Sequence, residues 1–136
     1  MSRLEPKDFQ QLAEFRYLLR KFLRFSKDFL REKADLNPEQ YEALLAIKAF
    51  EAHHRATISD LSERLQIKHH SAVNIVDRLV EKKLINRAAG ETDRRQRHLS
   101  LTAKAEQLLE NLAAVHRKEI RGRSLDLIKA LELLSK

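Results

Sequence analysis

The sequence predicts a mainly α-helical fold carrying one small β element of two or three strands. Three observations lead there. Glycine and proline number only two each, too few for a chain of many tight turns. Apolar residues recur at helical spacing over most of the length. That period lapses once, after Leu84, where two short, partly alternating segments, INRAA and RHLSL, flank GETDRRQ. The 136 residues contain no repeat, low-complexity tract or interdomain linker, so a single domain over 1–136 is expected.

The first helix is expected from Phe9 to about Arg31. Its apolar positions, among them Phe9, Leu12, Phe15, Leu18, Leu19, Phe22 and Leu23, form a stripe broader than one packing face requires. Such a helix runs about 36 Å, more than so small a domain can cover, so it is expected to serve a second chain as well. Asn37 then N-caps a second helix, with Pro38 at its first position and Glu39 in its first turn. Leu44, Leu45, Ile47 and Ala49 supply its buried positions.

Beyond the polar link EAHHR, Ser59 is expected to cap a short helix with Leu61 and Leu65 on one face. A turn at Gln66 to Lys68 leads into a second amphipathic helix. Its apolar side is Ala72, Val73, Ile75, Val76, Leu79 and Val80; its polar side is His70, Ser71, Asn74, Asp77, Arg78 and Glu81. The hairpin bends at Gly90, and Thr102 caps a further helix with Leu108, Leu109, Leu112, Ala113 and Val115 as its apolar face. Gly122 is expected to break or bend that helix before the last amphipathic segment, SLDLIKALELL.

A short helix, a turn, a second amphipathic helix and a basic hairpin make the layout of a winged helix-turn-helix. Its second helix is rigid and fits the major groove of double-stranded DNA, while the hairpin reaches an adjacent groove. On the polar side, Asn74 can donate to and accept from adenine, and Arg78 can reach guanine or phosphate. Ser71 and His70 lie near the entering end, and Lys68 adds a donor at a helix N-terminus whose N–H groups already attract phosphate. His69 falls nearer the apolar side, where packing, capping and DNA contact are all open. In the hairpin, Arg94, Arg95 and Arg97 are candidate DNA contacts, an arginine at a tip being suited to the minor groove. Asp93 would repel phosphate, so its expected work is to orient an arginine. Either face alone would read as ordinary solvated surface; their adjacency is what points to DNA.

The stretch ISDLSERLQIKHHSAVNIVDRLVEKKLINRAAGETDRRQRHLSLTAKAEQLL resembles the winged helix core of the MarR family of transcription regulators. Its carriers are VDRL at 76–79, in the second helix, and Asp93, Arg95, Leu101 and Thr102, which match a D-x-R…L-T wing signature. The resemblance implies a homodimer joined through helices at about 9–34 and 102–136, with the winged helix core at about 38–101. It also implies a repressor that binds a pseudo-palindromic operator, with Arg95 in the minor groove, Asp93 bracing the wing, and positions 70, 71, 74 and 78 facing bases and backbone. Release by a small aromatic or phenolic ligand is implied too, bound between the dimer helices and the winged core. Phe15, Tyr17, Phe22, Phe25 and Tyr41 are its candidate lining, although aromatics at helical spacing usually just pack. Three positions depart from the pattern: Gln66 and Lys83 replace frequent glycines, and Lys68 replaces a capping Ser or Thr.

A net charge of +7 favours an anionic partner without separating nucleic acid from a membrane surface. The longest strictly apolar run, Ala43 to Ile47, is too short to span a bilayer. MSRLEPKD lacks the apolar core of a signal peptide, so a cytoplasmic protein with no membrane partner is expected. The absence of cysteine excludes disulfides, thiolate catalysis and thiol-based peroxide sensing. His53–His54 and His69–His70 are adjacent pairs, whereas helical chelation favours partners three or four apart, so no metal or cofactor is expected. No nucleophile–base pattern or phosphate loop is apparent, which argues against an enzyme. The rival readings are a protein-interaction winged helix and a metal- or small-molecule-binding module.

Overall fold

The computed structural model describes residues 3–89 and 97–136. The elements run α1 (Pro6–Ala34), α2 (Pro38–Phe50), β1 (Ala56–Thr57), α3 (Ile58–Leu65), α4 (His69–Glu81), β2 (Ile85–Ala89), β3 (Arg97–Leu101) and α5 (Ala103–Leu134). Helix α1 begins three residues before the expected Phe9, because Pro6 occupies its first turn and Asp8 accepts a 2.7 Å hydrogen bond from the Glu5 N–H. It ends at Asp35, which takes a left-handed conformation with φ 52° and returns its N–H to the helix carbonyls. Helix α2 starts as the sequence predicts: the Asn37 side chain accepts from the Gln40 N–H at 2.8 Å, and Gln40 Oε1 accepts from the Asn37 N–H at 3.0 Å.

The start of α3 departs from expectation. Thr57, not Ser59, is the cap: its side chain accepts from the Asp60 N–H at 3.2 Å, while Asp60 Oδ2 accepts from the Thr57 N–H at 2.9 Å. This reciprocal pair satisfies two backbone donors at once, whereas a Ser59 cap could satisfy one. Thr57 also closes β1, so strand and helix share a corner. The sheet is antiparallel, in the order β1-β3-β2, with Ala56 opposite Leu99 and Ile85 opposite Leu101.

Leu44 and Ile47 of α2, Leu61 of α3, Val76 and Leu79 of α4, Ile85 and Leu99 are buried together. Each contributes roughly 1.5–3 kcal/mol of apolar burial, so the sheet and three short helices hold one core. Two non-glycine residues are left-handed at its turns: Gln66 (φ 55°) and Lys83 (φ 62°). Gln66 has local compensation, since its Nε2 donates to the Glu63 carbonyl at 2.7 Å. The exposed Lys83 side chain has no hydrogen bond among the described residues. Lys83→Gly is therefore expected to raise stability by about 0.5–1 kcal/mol, and Gln66→Gly to change it by less. Thermal unfolding of both variants checks the contrast.

Helix α5 runs unbroken through Gly122, contrary to the expected bend. A single glycine costs about 1 kcal/mol in a helix interior, too little to stop a helix that packs on both the core and α1. Thr102 caps it as expected, accepting from the Ala105 N–H at 3.1 Å. The same hydroxyl donates to the Lys83 carbonyl at 2.8 Å, which ties the turn after α4 to the start of α5. The long helices leave an apolar surface open: Leu12, Leu19 and Leu23 of α1, and Ile128, Leu131 and Leu125 of α5, the last 81% exposed.

Candidate nucleic-acid interface

The helix-turn-helix sets α4 across the core. Ala72, Val76 and Leu79 are buried beneath it, and His70, Asn74 and Arg78 are exposed above. Spacings of four residues bring these three side chains onto one strip of helix. Ser71 sits half-buried at the edge of that strip. Lys68 is the exposed N-cap residue but makes no side-chain cap, so the first N–H groups of α4 lack a side-chain acceptor from it and can receive an anion. His69 is exposed rather than packed, bordering a shallow groove with Ser62 and Gln66.

Asp77 lies on the polar side as predicted, but with a partner the sequence reading did not single out. Arg87 of β2 donates from Nη1 to Asp77 Oδ1 at 2.6 Å. The pair fastens the strand leading out of the core to the exposed helix and neutralises the carboxylate on that face. Asp93, Arg94 and Arg95, with Gly90, lie outside the described residues, as does the side chain of Arg97, whose backbone pairs with Ala89. The far end of α4 is held from two sides. Lys82 Nζ donates to the Asp35 carbonyl and lies 3.7 Å from Asp35 Oδ2, and Lys104 Nζ donates to the Lys82 carbonyl at 3.3 Å.

The five aromatic candidates do not gather round one opening. Phe22, Phe25 and Tyr41 surround His116 of α5, together with Phe29. Tyr17 lies on the outer surface with Lys21 Nζ 5.1 Å from its ring centre, and Phe15 is half-buried. His116 is 4% exposed, stacks on Tyr41 with ring centres 4.5 Å apart, and hydrogen-bonds Ser26 Oγ through Nε2 at 2.8 Å. Its Nδ1 lies 2.8 Å from the Leu112 carbonyl. A carbonyl only accepts, so Nδ1–H donates and Nε2 can accept from the serine hydroxyl. Burial, with the charge of Glu42 adding to it, raises the Tyr41 phenol above its ordinary value, so a neutral ring covers the imidazole. His116 was not singled out because its partners come from other helices, Ser26 being 90 positions away. No cluster of three or more His, Asp or Glu side chains suited to a metal occurs among the described residues, and no helix among them is long and apolar enough to cross a membrane.

The helix-turn-helix on a three-stranded antiparallel sheet, with an exposed polar strip on its second helix, defines a winged helix protein. A family model described as MarR family matches residues 34–96, from the end of α1 to the segment before β3. The HTH-type transcriptional repressor MdtR of Bacillus subtilis (strain 168) is 33% identical over 103 residues, spanning 76% of this chain and 64% of that relative. Over these spans the chain is similar to the MarR family. Among solved structures, AbsC, a MarR family transcriptional regulator from Streptomyces coelicolor, has a TM-score of 0.80 at 20% identity, covering 93% of this chain and 84% of AbsC. FabT of Streptococcus pneumoniae, solved in complex with DNA, has a TM-score of 0.72 at 20% identity, covering 84% of this chain and 80% of FabT.

Proposed function

We propose that the protein is a homodimeric transcription regulator that binds double-stranded DNA at a pseudo-palindromic operator and represses until a small aromatic ligand releases it. The observation that carries the DNA reading is the exposed strip of His70, Asn74 and Arg78 on a helix fastened by Arg87 to the strand that leads into Asp93, Arg94 and Arg95. Lys68 and Ser71 border it, and Arg97 stands at the start of β3. Asn74 and Arg78 would read base edges, the lysine and wing arginines would take phosphates or the minor groove, and Asp93 would brace the wing. FabT, of the same fold, was solved with DNA bound, and MdtR is named a repressor.

Dimerisation rests on the open apolar surface of α1 and α5, too extensive to leave in water. Sedimentation is expected to give twice the 15.9 kDa chain mass. A ligand can release DNA only by favouring a dimer geometry whose α4 helices no longer stand about 34 Å apart, one turn of DNA. Its candidate contacts are Phe15 and Tyr17 and, separately, Phe22, Phe25 and Tyr41 around His116. The decisive experiment is anisotropy titration of duplexes selected from random DNA. Arg95→Ala is expected to weaken binding roughly tenfold. No binding by the parent even at low salt sinks the reading.

A further inference from the structure

Resting on that DNA reading, we propose that Lys27 and Arg31 of α1 are phosphate-binding residues that extend the contact surface of α4 onto the long N-terminal helix. Arg16, Arg20, Arg24, Lys27 and Arg31 recur at intervals of three or four and line one open groove along α1, a basic strip about 22 Å long. The strip has two parts. Around Arg16 and Arg20 it is interleaved with the exposed Leu19 and Leu23, a mixture suited to cover by a second copy. From Arg24 to Arg31 no large exposed apolar residue interrupts it.

This lower part joins α4. Lys27 and Arg31 also line a second groove, shared with Asn74, Arg78 and Lys82. The two cations thus stand beside the side chains assigned to base and backbone contact, so a duplex seated on α4 would meet them at its edge. Asp28 is the one acidic side chain in the α1 groove, and it pairs with Arg31 at 3.4 Å and Arg24 at 3.8 Å. Lys27 makes no ion pair among the described residues. The Arg31 side chain is 67% exposed, so its pair with Asp28 is weak and can be exchanged for a phosphate. A polyanion offering phosphates in series matches cations one helical turn apart. Arg31 also lies in the last turn of α1, where it offsets the negative helix end. That role would show in stability and leave the salt response of DNA binding untouched.

The test is a salt series of duplex binding by the parent, a Lys27→Gln/Arg31→Gln protein, and a Lys27→Arg/Arg31→Lys protein that keeps both charges. Each lost phosphate contact makes the slope of log K against log salt shallower by about 0.9. The glutamine variant is therefore expected to lose about 1.8 of slope per protomer and roughly tenfold in affinity near 0.1 M salt. The loss should be equal on the selected and an unrelated duplex. The charge-retaining variant should keep the parent slope. A parent slope in the glutamine variant overturns the proposal while leaving the DNA reading intact. An unchanged slope accompanied by lost benzoate binding would assign the groove to a small acid and also overturn it. Failure of the parent to bind any duplex defeats both readings at once.

Discussion

His116→Ala is expected to destabilise the protein by about 3 kcal/mol, measured by denaturant unfolding at fixed protein concentration. The ring is 4% exposed and enclosed by Phe22, Phe25, Phe29 and Tyr41. Truncation leaves a cavity among rigid rings that cannot collapse into it, the setting in which large-to-small changes cost most. It also strips the Ser26 hydroxyl of its 2.8 Å partner, adding about 1 kcal/mol for an unsatisfied buried group. Because Ser26 is on α1 and His116 on α5, the loss should loosen the two long helices from each other. His116→Phe restores the volume without the hydrogen bond and is expected to cost about 1 kcal/mol, as is Ser26→Ala. Joining the two changes in Ser26→Ala/His116→Phe should cost less than their sum. A loss below about 1 kcal/mol for His116→Ala would show that the aromatic cage does not depend on its centre.

Arg87→Ala is expected to weaken DNA binding roughly 30-fold while lowering stability by no more than about 1 kcal/mol. The ion pair is partly exposed, 36% at Arg87 and 46% at Asp77, so solvent screening keeps its contribution to folding small. Its value lies in what removal leaves behind: an uncompensated carboxylate on the face that would meet phosphates. Asp77→Asn should therefore be milder than Arg87→Ala. Arg87→Ala/Asp77→Asn should recover much of the affinity, because the repelling charge has gone. Equal losses for both single changes, with no recovery in the double, would mean that Arg87 contacts the duplex itself. Anisotropy titrations paired with thermal melts separate the two effects.

Local chemistry was the legible part of this fold. Asn37 with Pro38, Thr102 ahead of α5, and the two-sided pattern of α4 each depend on neighbours within four positions, and each stands as read. Thr57 is an instructive miss, since Ser59 was an equally local candidate. Thr57 prevailed by exchanging hydrogen bonds with Asp60 while also ending β1. Gly122 was read by its own preference, but packing along α5 outweighs it. Arg87 and His116 could not be found from spacing. Each acquires its meaning from a residue that the fold alone brings near, Asp77 across a turn and Ser26 on a distant helix. Lys83 was legible as a departure from the glycine that the resemblance implies, and its φ of 62° places it in the left-handed conformation that favours glycine.

The unequal ends of α4 have a kinetic consequence. At one end Lys82, Lys104 and Thr102 bind the turn to α1 and α5; at the other Lys68 provides no side-chain cap. The helix is fastened by side chains at its root and lacks a side-chain cap at its tip, so its opening fluctuations should concentrate at residues 69–71. An anion seated there would act as the missing cap. Hydrogen exchange at those amides should slow when the tip is occupied, and the root should be slow beforehand.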